Sequence, residues 1–427
     1  MRYDYQLMWD SYTGLGGFQD GSYLVRYPRE TDEKYKRRQQ LAVYPNYTKK
    51  IVETITSHIF RRPPSRQIES PSYIEFMKNT DRTGTYIDDF MRKLCKLSLI
   101  FGTVFVVVDK PRTEQEIQTV AQERALGILP YATVRLPSQV EELQIDEYGN
   151  ILSISFREQY SLRVYTDNNW FIQTSVETIS GEHGLGRVPV VAVSWTDALL
   201  PTQVFAPPFI HEIAYISKDL YNAISELREI LRSTTFPILT LPSKQPVGDI
   251  TVGTENFIVY DPEGGGKPDF IGPPPEPARL YMEYIQMLIE QIYKITNLEF
   301  VLGTQTQKSG VALEFEFQDL NTMLSGIAMN MEQAEYKIAE IVCAWSGEQG
   351  FKGTIAYEKD FSFRDAERGL KIAMDALSLQ ISTTFDNELK KQLVRTLLPD
   401  ADEETVQRID NEIDGLEGLD NQLKREL

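Results

Sequence analysis

Between Leu313 and Trp345 apolar residues recur without a break: Leu313, Phe317, Leu320, Leu324, Ile327, Met331, Ala334, Ile338, Ile341 and Trp345. Steps of three and four keep one face of an α-helix apolar. At about 1.5 Å per residue the helix this predicts is about 50 Å long. Such a helix needs a long partner, or it runs the depth of a large body. Two shorter stripes precede it: Phe209, Ile213, Ile216, Leu220, Ile224, Leu227 and Leu231, then Tyr281, Ile285, Leu288, Ile292 and Ile295. The stretch from Phe205 to Trp345 therefore reads as helix, excursion, helix, polar loop, long helix.

The excursion, Phe236 to Pro277, holds nine of the chain's 22 prolines and six glycines. Phe236–Leu241, Asn256–Tyr260 and Pro268–Ile271 read as strands within it. Upstream, Thr31 is a predicted N-cap for a helix reaching Leu41, with acids in its first turn. Helices are expected over Tyr47–Ile59, ended by Pro63-Pro64, over Ser72–Thr80 and over Tyr86–Phe101, ended by Gly102. Val104–Asp109 reads as a buried strand and Arg112–Ala125 as a charged helical excursion. Six mostly alternating segments follow: Tyr131–Leu136, Val140–Asp146, Ile151–Tyr160, Ser161–Thr166, Asn169–Glu177 and Val188–Trp195. They predict one antiparallel β region. After Trp345 come a strand within Gly353–Phe363 and helices over Asp365–Phe385, Asn387–Leu398 and Asp402–Leu416. The fold class expected is α+β.

The chain has 427 residues, 41% hydrophobic and 25% charged, an ordinary globular composition with room for two or three domains. No apolar run approaches a membrane span. The N-terminus lacks the shape of a signal peptide. Cys95 and Cys343 make no disulfide framework and are expected to be small buried hydrophobes in a reducing compartment. The net charge is −18. That opposes a clamp gripping phosphates, while permitting a surface over which nucleic acid slides. The charge is uneven. Asp400–Leu427 holds ten carboxylates and three basic residues, whereas Pro28–Arg66 holds ten Lys/Arg and four Asp/Glu. The basic segment is either a solvated helix face or a contact for nucleic acid or an acidic partner.

Catalytic signatures are sparse. His58, His183 and His211 lack HExxH or CxxC context, so no zinc site is expected, and His183 reads as a surface turn residue. Gly264-Gly265-Gly266-Lys267 is followed by Pro268 rather than Ser/Thr and is not a phosphate loop. Glu299, Glu314, Glu316 and Asp319 read as a solvated helix start or, alternatively, as the cation site of a metal-dependent hydrolase. No cofactor is expected. The segment Asn297–Gly310 stands apart. Thr304, Gln305, Thr306, Gln307, Lys308 and Ser309 form a polar run with one charge, hinged by Gly303 and Gly310. It is either a mobile connector or a working loop.

Four stretches, in order, resemble the portal proteins of tailed bacteriophages. They are Tyr27-Pro28-Arg29-Glu30-Thr31-Asp32-Glu33 with the helices up to Pro64, the turn and strand His183-Gly184-Leu185-Gly186-Arg187-Val188-Pro189-Val190-Val191, the helix–excursion–helix order, and Lys308-Ser309-Gly310-Val311-Ala312-Leu313-Glu314. The resemblance implies a homo-oligomeric ring, usually of twelve, at one capsid vertex, through which double-stranded DNA is packaged and ejected. It implies a wing over residues 1–204, stem helices over 205–233 and 276–296, and a clip over 234–275. A tunnel loop over 297–310, a long wing helix over 311–346 and C-terminal wing and crown elements over 347–427 would complete the subunit. The clip, with Lys244, Asp249, Glu263, Lys267 and Asp269 as docking surface, would meet the terminase large subunit and later the head-completion or tail adaptor. Major capsid and scaffolding proteins are further implied partners. The location implied is the virion, and the host cytoplasm during assembly. Thr304–Ser309 would touch the duplex. Twelve copies would carry about −216 formal charges, a wall that repels phosphates. Lys218, Glu226, Arg228 and Glu229 would face lumen or solvent. A different head–tail adaptor or assembly protein is the alternative.

Overall fold

Thr103–Asp109 (β2) is buried at every position. A strand with both faces covered reads as a continuous apolar run rather than an alternating one. In the computed structural model, which describes residues 3–111, 122, 126–235, 238–242, 257–260, 269–271, 274–299, 310–361, 374–378, 382–397 and 405–414, β2 is the centre of a three-stranded antiparallel sheet. Tyr131–Arg135 (β3) and Val190–Ser194 (β9) flank it. Its side chains alternate between two cores, as the pleat requires. Val104, Val106 and Val108 join the large helical core. Phe105 and Val107 join a smaller one with Ile154, Phe156, Tyr165 and Trp170.

That smaller core lies under a five-stranded meander of Val140–Ile145 (β4), Ile151–Arg157 (β5), Ser161–Tyr165 (β6), Asn169–Thr174 (β7) and Thr178–Glu182 (β8). The single β region expected from sequence is thus two sheets. Tyr131–Leu136 and Val188–Trp195 leave the meander because they pair with β2 across long sequence separations. Asn169–Glu177 ends early, at Thr174, and turns back as β8, which carries one large apolar residue, Ile179, and so shows no alternation.

The helical core is built from Tyr5–Thr13 (α1), Asp32–Leu41 (α2), Tyr47–Ile59 (α3), Pro71–Lys78 (α4) and Ile87–Phe101 (α5). Thr31 caps α2, accepting from the Lys34 N–H at 3.3 Å. Gly102 ends α5 at φ 82°, and a Cβ there would lie 2.1 Å from the Ala206 carbonyl oxygen, so only glycine fits this turn into β2. Ser65–Ile68 (β1), unread in the sequence, pairs antiparallel with Gly353–Ala356 (β13). Its partner lies far away in the chain and Pro63-Pro64 hides its start.

Three long helices follow: His211–Thr235 (α6), Glu276–Ile295 (α7) and Gly310–Trp345 (α8). The 36 residues of α8 span about 54 Å. Leu320, Leu324, Ile327, Met331, Ala334, Ile338 and Ile341 are all buried, against α3, α4, α5, β2 and β9. Of the shorter stripes, Ile213, Leu220, Leu288 and Ile292 are buried, the others are half-buried, and Leu231 and Ile295, each at the last turn of its helix, are 45% and 42% exposed.

Glu335 lies on the buried face of α8, fully covered. Arg66 grips its carboxylate at 2.6 and 3.0 Å, and the hydroxyls of Tyr73 and Tyr357 donate to it at 2.9 and 2.6 Å. One buried charge thereby ties together β1, α4, α8 and the residue after β13. Residues 1–361 form one compact unit and 362–427 a second. In the second, Thr383–Leu397 (α9) meets the helical residues 405–414 through Lys391–Asp414 at 2.7 Å and Arg395–Asp410 at 3.0 Å. The Arg112–Ala125 helix falls, except for Gln122, outside the described residues, as does much of Asp365–Phe385.

Candidate functional site

The site is the antiparallel pair α6/α7, with what lies between and after its helices. The pairing direction follows from two bonds. Tyr281, near the start of α7, donates its hydroxyl to Glu226, and Tyr284, one turn on, donates to Asp219 at 2.5 Å, seven residues earlier in α6. Ile285, Leu288 and Ile292 fill the seam with Ile213 and Leu220. The hydrogen bond to Glu226, then burial, pushes the Tyr281 phenol up to about 12, so it stays a donor at neutral pH.

The N-terminal segment rivets α6 from the other side. Arg38 and Glu30 form a fully buried pair at 2.7 Å, and Arg38 also reaches Ser225 at 3.3 Å. The bond from Arg38 is the largest influence on Glu30 and holds its carboxyl below the usual range. Tyr221 donates to the Phe18 carbonyl, Asn222 to that of Tyr23, and Thr48 meets Ser217. The charges expected on a free polar face of α6 are consequently in use. The Lys218 ammonium sits 4.8 Å over the Tyr23 ring, and Arg228 donates to the Leu41 carbonyl. Glu229 pairs with Lys34 at 3.8 Å and with Arg232 at 3.6 Å. Lys34, Glu226, Glu229 and Arg232 rim a cavity of about 480 Å³ with Tyr27, Ile230 and Tyr281.

At one end of the pair a three-stranded sheet continues the chain. Ile238–Pro242 (β10) is central, parallel to Phe257–Tyr260 (β11) and antiparallel to Asp269–Ile271 (β12). Of the docking residues read from sequence, Asp269 opens β12 opposite Thr240. Lys244, Asp249, Glu263 and Lys267 lie outside the described residues.

At the other end, α7 stops in a Schellman turn. Asn297 adopts φ 55°, the Leu298 N–H returns to the Tyr293 carbonyl at 3.0 Å, and that of Asn297 to Lys294 at 3.2 Å. Leu298 is buried, and Thr296, also buried, bonds the Ile292 and Tyr293 carbonyls. The polar loop is therefore rooted in the core. Gly303, Thr304, Gln305, Thr306, Gln307, Lys308 and Ser309 lie outside the described residues, and Gly310 opens α8.

The side chains of Glu314 and Glu316 lie outside the described residues, whereas His183 and the two cysteines are structural groups. His183 lies in the connection after β8, as expected, but is half-buried and engaged rather than free at the surface. Its ring packs 5.9 Å from Trp345, Nε2 lies 3.1 Å from the Thr166 carbonyl oxygen, and Nδ1 accepts the Leu185 N–H at 3.3 Å. Burial lowers its pKa. Cys95 and Cys343 are free and buried, and burial pushes the Cys95 thiol up to about 12. Among the described residues no group of three His, Cys, Asp or Glu is placed to hold a metal. Sequence reasoning missed the Arg66–Glu335 pair. The signal was present, because position 335 falls four after Met331 and three before Ile338, on the apolar stripe itself.

No protein-family model matches the chain, and no curated protein matches it either. Among solved structures the chain is similar to a component of the neck of an empty gene transfer agent particle computed with C6 symmetry. The TM-score is 0.48 at 11% identity, over 88% of this chain and 97% of that one. It is also similar to chains of the native gene transfer agent virion (TM-score 0.42, 11% identity, 78% and 84% covered) and of the native particle neck computed with C12 symmetry (TM-score 0.44, 11% identity, 76% and 84% covered). Likeness at this level assigns neither family nor function.

Proposed function

We propose that the chain is a portal-type subunit with a structural rather than catalytic role. It would form a ring, of twelve copies on the family pattern, that conducts double-stranded DNA at one capsid vertex. The observation that carries this reading is the uncovered face of the α6/α7 pair. Leu280, Tyr284 and Met287, spaced i, i+4 and i+7 on α7, are 61%, 37% and 43% exposed, and Tyr215 on α6 is 48% exposed. The three α7 residues flank the seam to α6, which Ile285, Leu288 and Ile292 fill, while the face turned away from α6 carries exposed Arg279, Glu283, Gln286 and Glu290. An apolar flank left open beside a packed seam fits a second partner. A neighbouring copy supplies it, and a repeated side-by-side contact of this kind closes into a ring when its rotation permits.

In this reading α6 and α7 are the stem. The β10–β12 sheet is the clip that docks the terminase large subunit and then the head-completion or tail adaptor. Residues 297–310 form the tunnel loop, and 1–204 and 311–346 the wing. Thr304, Gln305 and Gln307 would touch the phosphate backbone without reading sequence, and Lys308 would add one positive charge per copy. Capsid and scaffolding proteins would hold the ring in the virion. Alanine at Gln307 and Lys308 is expected to reduce the DNA retained in filled particles. Packaging and retention equal to wild type would remove the loop from the mechanism.

A further inference from the structure

We infer that the outer faces of α3 and α5 form a second, sequence-blind contact for the phosphate backbone of a DNA duplex, away from the tunnel loop. The two helices run antiparallel. Their inner faces, with Ile51, Ile55 and Ile59 against Phe90, Met91 and Leu94, are buried. The outer seam is closed by Lys96, which pairs with Glu53 at 2.6 Å, and by Arg92, which donates to the Phe60 carbonyl at 3.4 Å.

Lys49, Lys50, Arg61, Arg92 and Lys93 are exposed along this strip, and none has a carboxylate within ion-pair distance among the described residues. The acids nearby are few. Glu53 is engaged by Lys96 and by the Tyr12 hydroxyl, Glu358 by Arg62 and Asp88, one turn before Arg92, by Arg66, while Asp89 stands one turn before Lys93. The strip is thus positive in a chain of net charge −18. Two of its lysines are also misplaced for the helix that bears them. Lys49 and Lys50 lie in the first turn of α3, behind the Asn46 cap, with no acid in that turn; the nearest, Glu53, stands one turn on from Lys49 and is engaged by Lys96. The positive end of the helix dipole disfavours cations there and adds to their pull on an anion.

The shape selects the ligand. Four of these side chains lie on the outer faces of the two helices and Arg61 just past the end of α3, so a long anion fits better than a small one. From Lys49 to Arg61 is about 18 Å. A duplex presents a phosphate about every 1.7 Å of its axis, so about five base pairs cover that length. Within α3 and α5 no large apolar or aromatic side chain is exposed, and the exposed Tyr86 at the start of α5 is a single ring, not a series on which successive unpaired bases could stack. The strip would hold duplex whether or not the chain closes into a ring.

The test is the affinity of the full-length protein for a mixed-sequence duplex of about 30 base pairs, followed by fluorescence anisotropy across a salt series. The variant combines Lys49→Gln, Lys50→Gln, Arg61→Gln and Lys93→Gln, and spares Arg92, which bonds the backbone. At about 50 mM salt its affinity is expected to fall more than tenfold. Its plot of log affinity against log salt should be shallower by about 0.9 for each phosphate-neutralising charge removed. Circular dichroism should show the same unfolding midpoint as wild type. Equal affinity and slope in the two proteins would overturn the inference. So would tighter binding of a polyglutamate peptide than of duplex by the wild type, or a variant that loses its oligomeric state while keeping its DNA affinity. The mass of the eluting species is read separately, so a monomer that binds duplex through the strip rejects the ring and keeps the strip.

Discussion

Glu335 shows what a single residue holds. Its carboxylate is fully buried and accepts from Arg66, Tyr73 and Tyr357. Arg66 is shared with Asp88 at 2.7 Å. Removing one partner of a buried pair leaves the other charged and uncompensated, at a cost of about 3–5 kcal/mol. Arg66→Met is expected to destabilise residues 1–361 by that amount in denaturant unfolding, and adding Glu335→Leu to recover part of it. A single variant as stable as wild type would mean the carboxylate is not charged in the fold. His183 makes a pH prediction. Burial lowers its pKa, and only a neutral Nδ1 can accept the Leu185 N–H. Because the folded pKa is depressed, the unfolded chain binds the proton first. The stability from this group is complete above the ordinary histidine value and is lost as pH falls through the folded one. His58 shifts the same way, through burial and then Arg61. The denaturant midpoint should drop between about pH 7.5 and 5.5, and His183→Gln should flatten part of that drop. Equal midpoints at the two pH values would contradict the assignment.

At the scale of elements, the helices were legible because each carries its own signal. The stripe on α8 is buried from Leu320 to Ile341, as its spacing requires, and Thr31 caps α2. The sheets were less so. Strand pairing is set by partners far along the chain, and nothing local tells Tyr131–Arg135 that it belongs to β2 rather than to β4. β8 escaped because Thr178, Ser180 and Gly181 leave it without alternation. The candidate loop was read from composition alone and most of it lies outside the described residues; its anchoring was not read, since Asn297 gives no sign of the left-handed turn it makes. That turn is testable. Asn297→Val forces a β-branched residue to φ 55° and is expected to lower stability by about 1–2 kcal/mol. Asn297→Gly should change it by under about 0.5 kcal/mol. A valine variant that melts with wild type would show that the root of the loop is not fixed by this cap. Leu324→Ala, in the middle of α8, should cost about 2–5 kcal/mol by opening a cavity.

For the whole molecule, the unusual feature is a helix pair that packs along one seam and exposes apolar residues on the flank beside it. The sequence displayed the covered stripe of α7, Tyr281 to Ile292, and hid the second, because Leu280, Tyr284 and Met287 are separated by charged and polar neighbours. Leu280→Glu with Met287→Glu is expected to dissociate the assembly while leaving the unfolding midpoint of the subunit unchanged, as exposed positions allow. The most direct measurement is the mass of the purified protein in solution, with negative-stain images of the same peak. The account predicts a species near twelve times the 49.0 kDa chain mass, seen end-on as a ring with a central hole, and its loss in the double glutamate variant. A monodisperse monomer at micromolar concentration, unchanged by that variant, would contradict it.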